Sequence, residues 1–587
     1  MWTFVQELFN KATEKQLVFF WLFFCFMALT YELGGVPPYH SDENYYVEST
    51  RNMVESGDYL TPIHHDEKRF AKPILYYWLM STSYKILGVS LVSARLTSAI
   101  FGGLAIGLLY LVSSRLFDSR TALYSVLILP ATFLYFQISR WATTDIVMNF
   151  FVLLAIYFFV CLYQNNFDGK KDACLFYLAM ALGFMTKGPP AVIIPGMIAV
   201  IFLLTTRRQS SWSHMRIGMG LVILSLVILP WFLTMFLLHG DEFKNHIIGA
   251  EISNRLVHDT PFSFYYFGVL FRYHLPWVLF FIVSFLHQFG FCGHSFSPLS
   301  GVSEYFRQAL SKLKTRVRLL FARENESVLL CYIWILVCLV LFTLVRTEHS
   351  RYMLPASSAV AILVARLFVD MENSDEDWTG YKLSAKLTGL ILLVAGVSLV
   401  GVLSVFSLID SVPIHFFTLP VVFLVAGVSV FRFVNARQYG KQVFIISFSL
   451  IFAFSFLSGE ILPHLSRYPM KLFSEKILTD KFSVATGVYR LGNQRAKLGV
   501  LTGKKVLGFY HPGQIQQFAD TDDKVLVVMR EKDYRESFSN VPLKIVAEDM
   551  AWLKGRVDWE RLIDLFGKAE SVGVSSLTEK IYLLSNK

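Results

Sequence analysis

The sequence predicts an all-α polytopic membrane domain followed by a small α/β domain, and three observations carry that prediction. The 587 residues are 54% hydrophobic and only 17% charged, a lower charged share than soluble domains carry. The apolar residues recur in runs of about 17–25, the length that crosses a bilayer core. After residue 465 the apolar runs shorten to strand length and alternate with helical stretches such as Trp559–Phe566.

Spans are expected near 17–36, 91–113, 121–138, 145–164, 172–187, 189–206, 217–238, 263–290, 327–346, 353–370, 384–408, 415–433 and 442–460, thirteen in all. The first has no small-residue cleavage site and reads as a retained span. Segment 73–88 is short, follows Pro73 and carries Lys85 and several hydroxyls. Its status follows from charge. If it does not span, the basic loops fall on one side: Arg115 and Arg120; Lys170 and Lys171; Arg207, Arg208 and Arg216; Arg307 to Arg323; Arg437 and Lys441. Lys11 and Lys15 agree. The positive-inside rule then makes that side cytoplasmic and 73–88 an interfacial or re-entrant segment packed on protein. A bacterial inner-membrane protein with a cytoplasmic N-terminus and a periplasmic C-terminal domain is expected.

The domain division is 1–462, with the outward loop 37–90, and 463–587. Expected strands in the second part are Leu498–Leu501, Val506–Tyr510, Val525–Met529, Leu543–Val546 and Ile581–Leu584. The net charge of +10 would suggest nucleic acid in a soluble protein, but here membrane topology accounts for it and no nucleic-acid partner is expected. The six cysteines, Cys25 to Cys338, lie in or beside apolar runs without metal-ligand spacing.

The outward face collects the polar chemistry. Asp42 and Glu43 follow the first span and open an amphipathic stretch, Asn44 to Ser56, that Gly57 stops. They read either as a helix cap with Ser41 or as catalytic acids; the two are compatible. Lys68, Arg69 and Lys72 precede the aromatic run Tyr76–Tyr77–Trp78, either as an interfacial anchor or with Lys72 on a lipid phosphate. Asp145 opens another span, and Lys187 closes a turn before Pro189 and Pro190. Glu251 and Arg255 are four apart, as in a helix ion pair; Glu251, His258, His246 and His274 could instead ligate a metal, without diagnostic spacing. Arg346 and Arg351 stand at the same face, and arginine suits bidentate phosphate recognition. Acids and cations from five loops on one membrane face define a functional site by default.

This set resembles the protein O-mannosyltransferase and aminoarabinose transferase superfamily, the GT-C fold of polyprenyl-phosphate-sugar-dependent glycosyltransferases. The matching pieces are Asp42-Glu43-x-x-Tyr46, Glu55-Ser56-Gly57-Asp58 with Thr61-Pro62, Lys72-Pro73-Ile74-Leu75-Tyr76-Tyr77-Trp78, Ala94-Arg95-Leu96, Asp145, Gly183 to Pro189, and Arg351-Tyr352-Met353-Leu354-Pro355. The resemblance implies sugar transfer from an undecaprenyl-type phosphate carrier to lipid A, another glycan or a protein at the periplasmic face, with inversion. It implies Asp42 as base, Glu43 and Asp145 as secondary acids, and Lys72, Arg255 and Arg351 on the donor phosphate. Tyr46, Tyr352 and Lys187 are expected to shape the substrate pocket. The family's metal-holding glutamate before the lysine is Ala71 here; a divalent metal is therefore not a firm expectation, with His258 and Glu251 the remaining ligand candidates.

The competing class is a transporter or flippase of a lipid-linked substrate. It predicts internal repeats and polar residues at mid-span, whereas here the polar residues lie at span ends on one face.

Overall fold

The computed structural model describes residues 14–36, 41–64, 67–207, 214–247, 249, 263–289, 315–316, 318–345, 348–375, 378–407, 411–465, 468–480, 483–552 and 578–587. Arg255, Glu251, His258, Arg346 and the stretch Trp559–Phe566 lie outside them.

The helical part runs α1 (Glu14–Thr30), α2 (Ser41–Ser56), a two-stranded hairpin β1 (Ile63–His64) and β2 (Glu67–Lys68), then α3 (Leu75–Leu87) and α4 (Leu91–Leu116). It continues with α5 (Ser119–Ile128), α6 (Phe133–Ser139), α7 (Thr144–Gln164), α8 (Lys170–Lys187), α9 (Pro190–Thr205), α10 (Ile217–Asn245), α11 (Tyr265–Tyr273) and α12 (Trp277–Gln288). The last helices are α13 (Glu326–Val345), α14 (Leu354–Glu372), α15 (Thr379–Ser407), α16 (Thr418–Asn435) and α17 (Tyr439–Phe456).

This is a multi-pass membrane protein. Among the described residues, eight helical stretches are long and apolar enough to cross a bilayer alone. Two more expected spans are bent pairs, α5 and its 3₁₀ extension with α6 at 70°, and α11 with α12 at 114°. The remaining three expected spans are α1, α9 and the more polar α8. Segment 73–88 forms α3, whose 13 residues reach only about 20 Å, short of a hydrocarbon core of about 30 Å. Its Tyr76, Tyr77, Met80 and Tyr84 are buried, so it packs against protein. Ser90 and Ser93 cap the next helix reciprocally, which makes the stop at Gly88 sharp.

Burial separates lipid-facing from central helices. Only 11% of the apolar window of α10 is covered by protein, against 89% for the stretch 350–372 that contains α14. The exposed Leu221, Leu226, Leu237, Val394 and Val428 need a lipid solvent. The small residues Ala356, Ser357, Ala359, Ala361 and Ala365 of α14 are buried and let neighbouring helices approach closely.

The C-terminal part comprises α18 (Pro469–Thr479), β3 (Ser483–Tyr489), α19 (Gly492–Thr502), β4 (Val506–Phe509), α20 (Pro512–Ala519), β5 (Lys524–Arg530), α21 (Glu531–Ser537), β6 (Lys544–Trp552) and β7 (Thr578–Ser585). The sheet order is β4-β3-β5-β7-β6. β3 pairs in parallel with β4 and β5, joined through helical crossovers, and β7 runs antiparallel to β5 and β6. Along β5, Leu526 and Val528 face one apolar layer while Val527 and Met529 face the other, as a period of two requires.

One strand expectation needs correction, and one strand was not expected. Leu498–Leu501 is helical, inside α19; Leu498 packs on the sheet, Val500 on the membrane-helix core, and Gly503 at φ +65 ends the helix. A four-residue apolar run does not by itself distinguish strand from helix. The strand missed is β3, Ser-Val-Ala-Thr-Gly-Val-Tyr, whose small and polar residues hide a central position.

Candidate active site

Asp42, Asp145, Lys187 and Arg351 converge where α2, α7, α8 and the 3₁₀ turn Ser350–Met353 meet. Asp42 and Glu43 occupy the first turn of α2, where the helix dipole favours carboxylates. Gly57 closes that helix with φ +76, donating its N–H to Met53 O at 3.0 Å.

The two adjacent carboxylates diverge in environment. Glu43 is fully buried and bidentate to Arg95, Nε to Oε1 at 2.6 Å and Nη2 to Oε2 at 2.8 Å. The Ala142 N–H donates to Glu43 Oε1 at 3.0 Å, and Arg95 Nη1 donates to Leu33 O and Val36 O at 2.8 and 2.7 Å. This clamp joins the segment after α1, the start of α2, α4 and the loop before α7. Arg140 reinforces it, donating to the Ala28, Leu29 and Tyr31 carbonyls at 3.0, 3.0 and 2.7 Å, where cations suit a helix C-terminus.

Asp42 instead keeps a 29% exposed side chain, and its Oδ2 lies 2.6 Å from Arg351 Nη2. Arg351 Nε lies 3.8 Å from Asp145 Oδ1. Asp145 also pairs with Lys187, the last residue of α8, where Gly188 at φ +92 turns the chain. Acid and cation alternate through Asp42, Arg351, Asp145 and Lys187, the last three nearly buried. Lys187 Nζ also sits 4.6 Å from the Tyr352 ring centroid.

Tyr46, one turn after Asp42, is buried against Tyr76 at 5.3 Å and Tyr77 at 5.6 Å between centroids, with its hydroxyl beside Thr144. Lys72 lies in the bend before α3 and donates to the Ala71 carbonyl at 2.6 Å. His274, one of the four metal-ligand candidates, is buried between Leu270 O at 3.0 Å and Ser357 Oγ at 2.8 Å, a structural placement. Among the described residues no three His, Cys, Asp or Glu side chains gather as metal ligands. Ala71 offers no carboxylate and Asp145 is engaged by two cations, while the candidates Glu251 and His258 lie outside the described residues.

Two residues at this site escaped the sequence reading. His349 stacks edge-on to Tyr352 at 5.4 Å, and burial, with the Arg351 guanidinium beside it, lowers its proton affinity. Arg69 lies over the Tyr45 ring at 4.0 Å and faces Tyr46 at 5.9 Å. Nothing in its basic run distinguished Arg69 from Lys68 or Lys72.

Helical part, acid-bearing helix α2 and C-terminal sheet together form the GT-C fold. The chain shares its fold with the crystal structure of ArnT from Cupriavidus metallidurans bound to undecaprenyl phosphate, at a TM-score of 0.68 and 17% identity over 98% of this chain and 99% of that one. Residues 71–233 match the family described as dolichyl-phosphate-mannose-protein mannosyltransferase. An undecaprenyl phosphate-alpha-4-amino-4-deoxy-L-arabinose arabinosyl transferase of Proteus mirabilis is 26% identical over 419 residues, 69% of this chain and 68% of that protein. An uncharacterized protein of Aquifex aeolicus is 29% identical over 340 residues, 57% and 60% of the two chains. The matched region thus spans only 60% to 68% of these two relatives' length. The chain is thus similar to aminoarabinose transferases over much of its length and to the mannosyltransferase family over residues 71–233.

Proposed function

We propose that this protein is an integral membrane glycosyltransferase. It moves a hexosyl or pentosyl unit from a polyprenyl phosphate, of the undecaprenyl type, to a lipid A, other glycan or protein acceptor at the periplasmic face. The observation that carries this reading is the Asp42–Arg351 pair, 2.6 Å apart, at the partly exposed end of an otherwise buried charge network.

In this mechanism the acceptor oxygen attacks C1 of the sugar from the face opposite the phosphate. The new C1–O bond forms as the C1–O bond to phosphate breaks, so configuration inverts and the phosphate leaves with the electron pair. Asp42, exposed enough for an acceptor to reach, takes the acceptor proton. Arg351 and Lys72, with Arg255, stabilise the charge growing on the phosphate. Glu43 and Asp145 serve as positioning residues in place of the acid roles first considered, because Glu43 is consumed by Arg95 and Asp145 by Lys187. Tyr46 and Tyr352 wall the sugar pocket. No step is routed through a metal.

The test is Asp42→Asn in reconstituted membranes supplied with an undecaprenyl-phosphate sugar. Transfer should fall by at least about 100-fold, within the range general-base removal costs; undiminished transfer would remove Asp42 from the mechanism.

A further inference from the structure

We propose that the cavity between α2 and the C-terminal part binds a sugar phosphate, at a site separate from the Asp42–Arg351 centre. The inference goes beyond the transfer reading and stands whether or not Asp42 acts as a base.

The cavity holds about 410 Å³, room for a ligand of hexose-phosphate size. Glu48, Arg51, Asn52 and Glu55 line it from α2, Arg495 from α19, and Lys505 from the residue before β4. On α2 these positions recur at three- and four-residue spacing and so form one stripe. A helix stripe that faces another body is ordinarily apolar and close-packed; this one is charged, and space remains beside it. Arg51 is 5% exposed, and its Nη1 is fixed by the Gly499 and Lys504 carbonyls at 3.2 and 3.0 Å. Its Nε is buried without a hydrogen-bond partner, with Glu55 Oε1 out at 3.6 Å. Arg495 is held by one nitrogen, Nε donating to Val506 O at 2.8 Å. Among the described residues its two terminal nitrogens make no hydrogen bond or ion pair. Buried donors are rarely left unmet, and an oxyanion in the cavity meets both arginines.

The mixed charge of the lining selects the ligand. Two guanidinium groups and the Lys505 ammonium suit a phosphate monoester, whose oxygens arginine grips in pairs. Glu48 and Glu55 repel a bare phosphate, yet both accept hydrogen bonds from hydroxyls. Glu48 is steadied for that role by His64 Nδ1 at 3.1 Å, and Asn52 by donating to Ile63 O at 2.9 Å. A polyhydroxylated body carrying a phosphate therefore satisfies the acids and the cations together, where neither half does so alone. Glu48 follows Asp42 by six residues, about 9 Å along α2, so the occupant lies away from the reacting groups. Such a sugar phosphate is either free or the far end of a longer acceptor.

The test measures glucose 6-phosphate, inorganic phosphate and glucose binding to the full chain in detergent, by isothermal titration calorimetry. Wild type should bind glucose 6-phosphate at least about tenfold more tightly than either fragment, and Arg495→Gln should weaken it by at least about tenfold, the cost of a lost charge-assisted hydrogen bond. Arg495→Lys, which keeps the charge but loses the planar fork, should weaken it about threefold. Both variants should hold undecaprenyl phosphate as wild type does; a parallel loss there would refute a separate site. Equal affinity for the three probes, no binding by wild type, or an undiminished affinity in Arg495→Gln overturns the proposal. If Arg495→Gln does not fold, Lys505→Glu at an exposed position decides, and unchanged affinity refutes the assignment. With the site upheld, inhibition of transfer by glucose 6-phosphate assigns the ligand to the acceptor, and binding without inhibition makes it a free sugar phosphate.

Discussion

Arg351 reaches Asp42 at 2.6 Å with one nitrogen and Asp145 at 3.8 Å with another. The 3₁₀ turn before α14 thereby ties the opening turn of α2 to that of α7, two elements about a hundred residues apart. The carboxylate assigned to chemistry is held by a cation that is itself held by a second carboxylate.

Removing Lys187 should expose that coupling. Lys187→Met removes one of the cations on Asp145, and Arg351 is then drawn from Asp42. Turnover should drop about tenfold or more, and Asp145→Asn combined with Lys187→Met should cost less than the sum of the single losses. A double-mutant cycle in the transfer assay measures this; additive losses would mean Asp42 does not sense Lys187.

Glu43 should matter for stability. Glu43→Ala strands Arg95 in the interior, and breaking a buried pair from one side costs about 3–5 kcal/mol. The double variant Glu43→Ala with Arg95→Met should regain much of that, since apolar replacement of both partners is close to neutral. Melting in detergent reads both; a single variant that melts like wild type would show the clamp to be dispensable.

His349 predicts a pH dependence. Burial first, then Arg351, lowers its pKa in the fold, so the unfolded chain binds that proton more readily. Stability from neutral His349 is therefore full above the ordinary value of about 6.5 and lost as pH falls below it. His349→Gln should flatten the melting-temperature profile between about pH 5 and 7. Parallel profiles for variant and wild type would contradict the assignment.

Orientation has its own measurement. Reporter fusions after residue 89 should signal from the periplasm and fusions after residue 168 from the cytoplasm. An outward signal at 168 would mean that α3 spans.

Charge placement made much of this legible. Asp42, Asp145, Lys187 and Arg351 stand at span ends because mid-span charge is costly, so their shared face could be read from order and hydropathy. Their pairing could not. Glu43 and Asp42 are neighbours in sequence and both acidic, and it takes Arg95, 52 residues away, to set the buried carboxylate apart from the partly exposed one. Arg69 was hidden for the opposite reason: its partners are aromatic faces, and a basic run before an aromatic segment is also what an interfacial anchor looks like. In the C-terminal part, Val525–Met529 was readable as a buried strand from its unbroken apolar run, whereas α19 was not, since Leu498 and Val500 each bury against a different body.

Arg51 gives α2 a second attachment. At the far end from Asp42, this buried arginine donates Nη1 to the Gly499 and Lys504 carbonyls, at 3.2 and 3.0 Å, where α19 ends. Nine residues of helix, about 14 Å, separate that grip from the proposed base. One helix therefore joins two contacts, the Arg51 grip on the C-terminal part and the Asp42 pairing with Arg351.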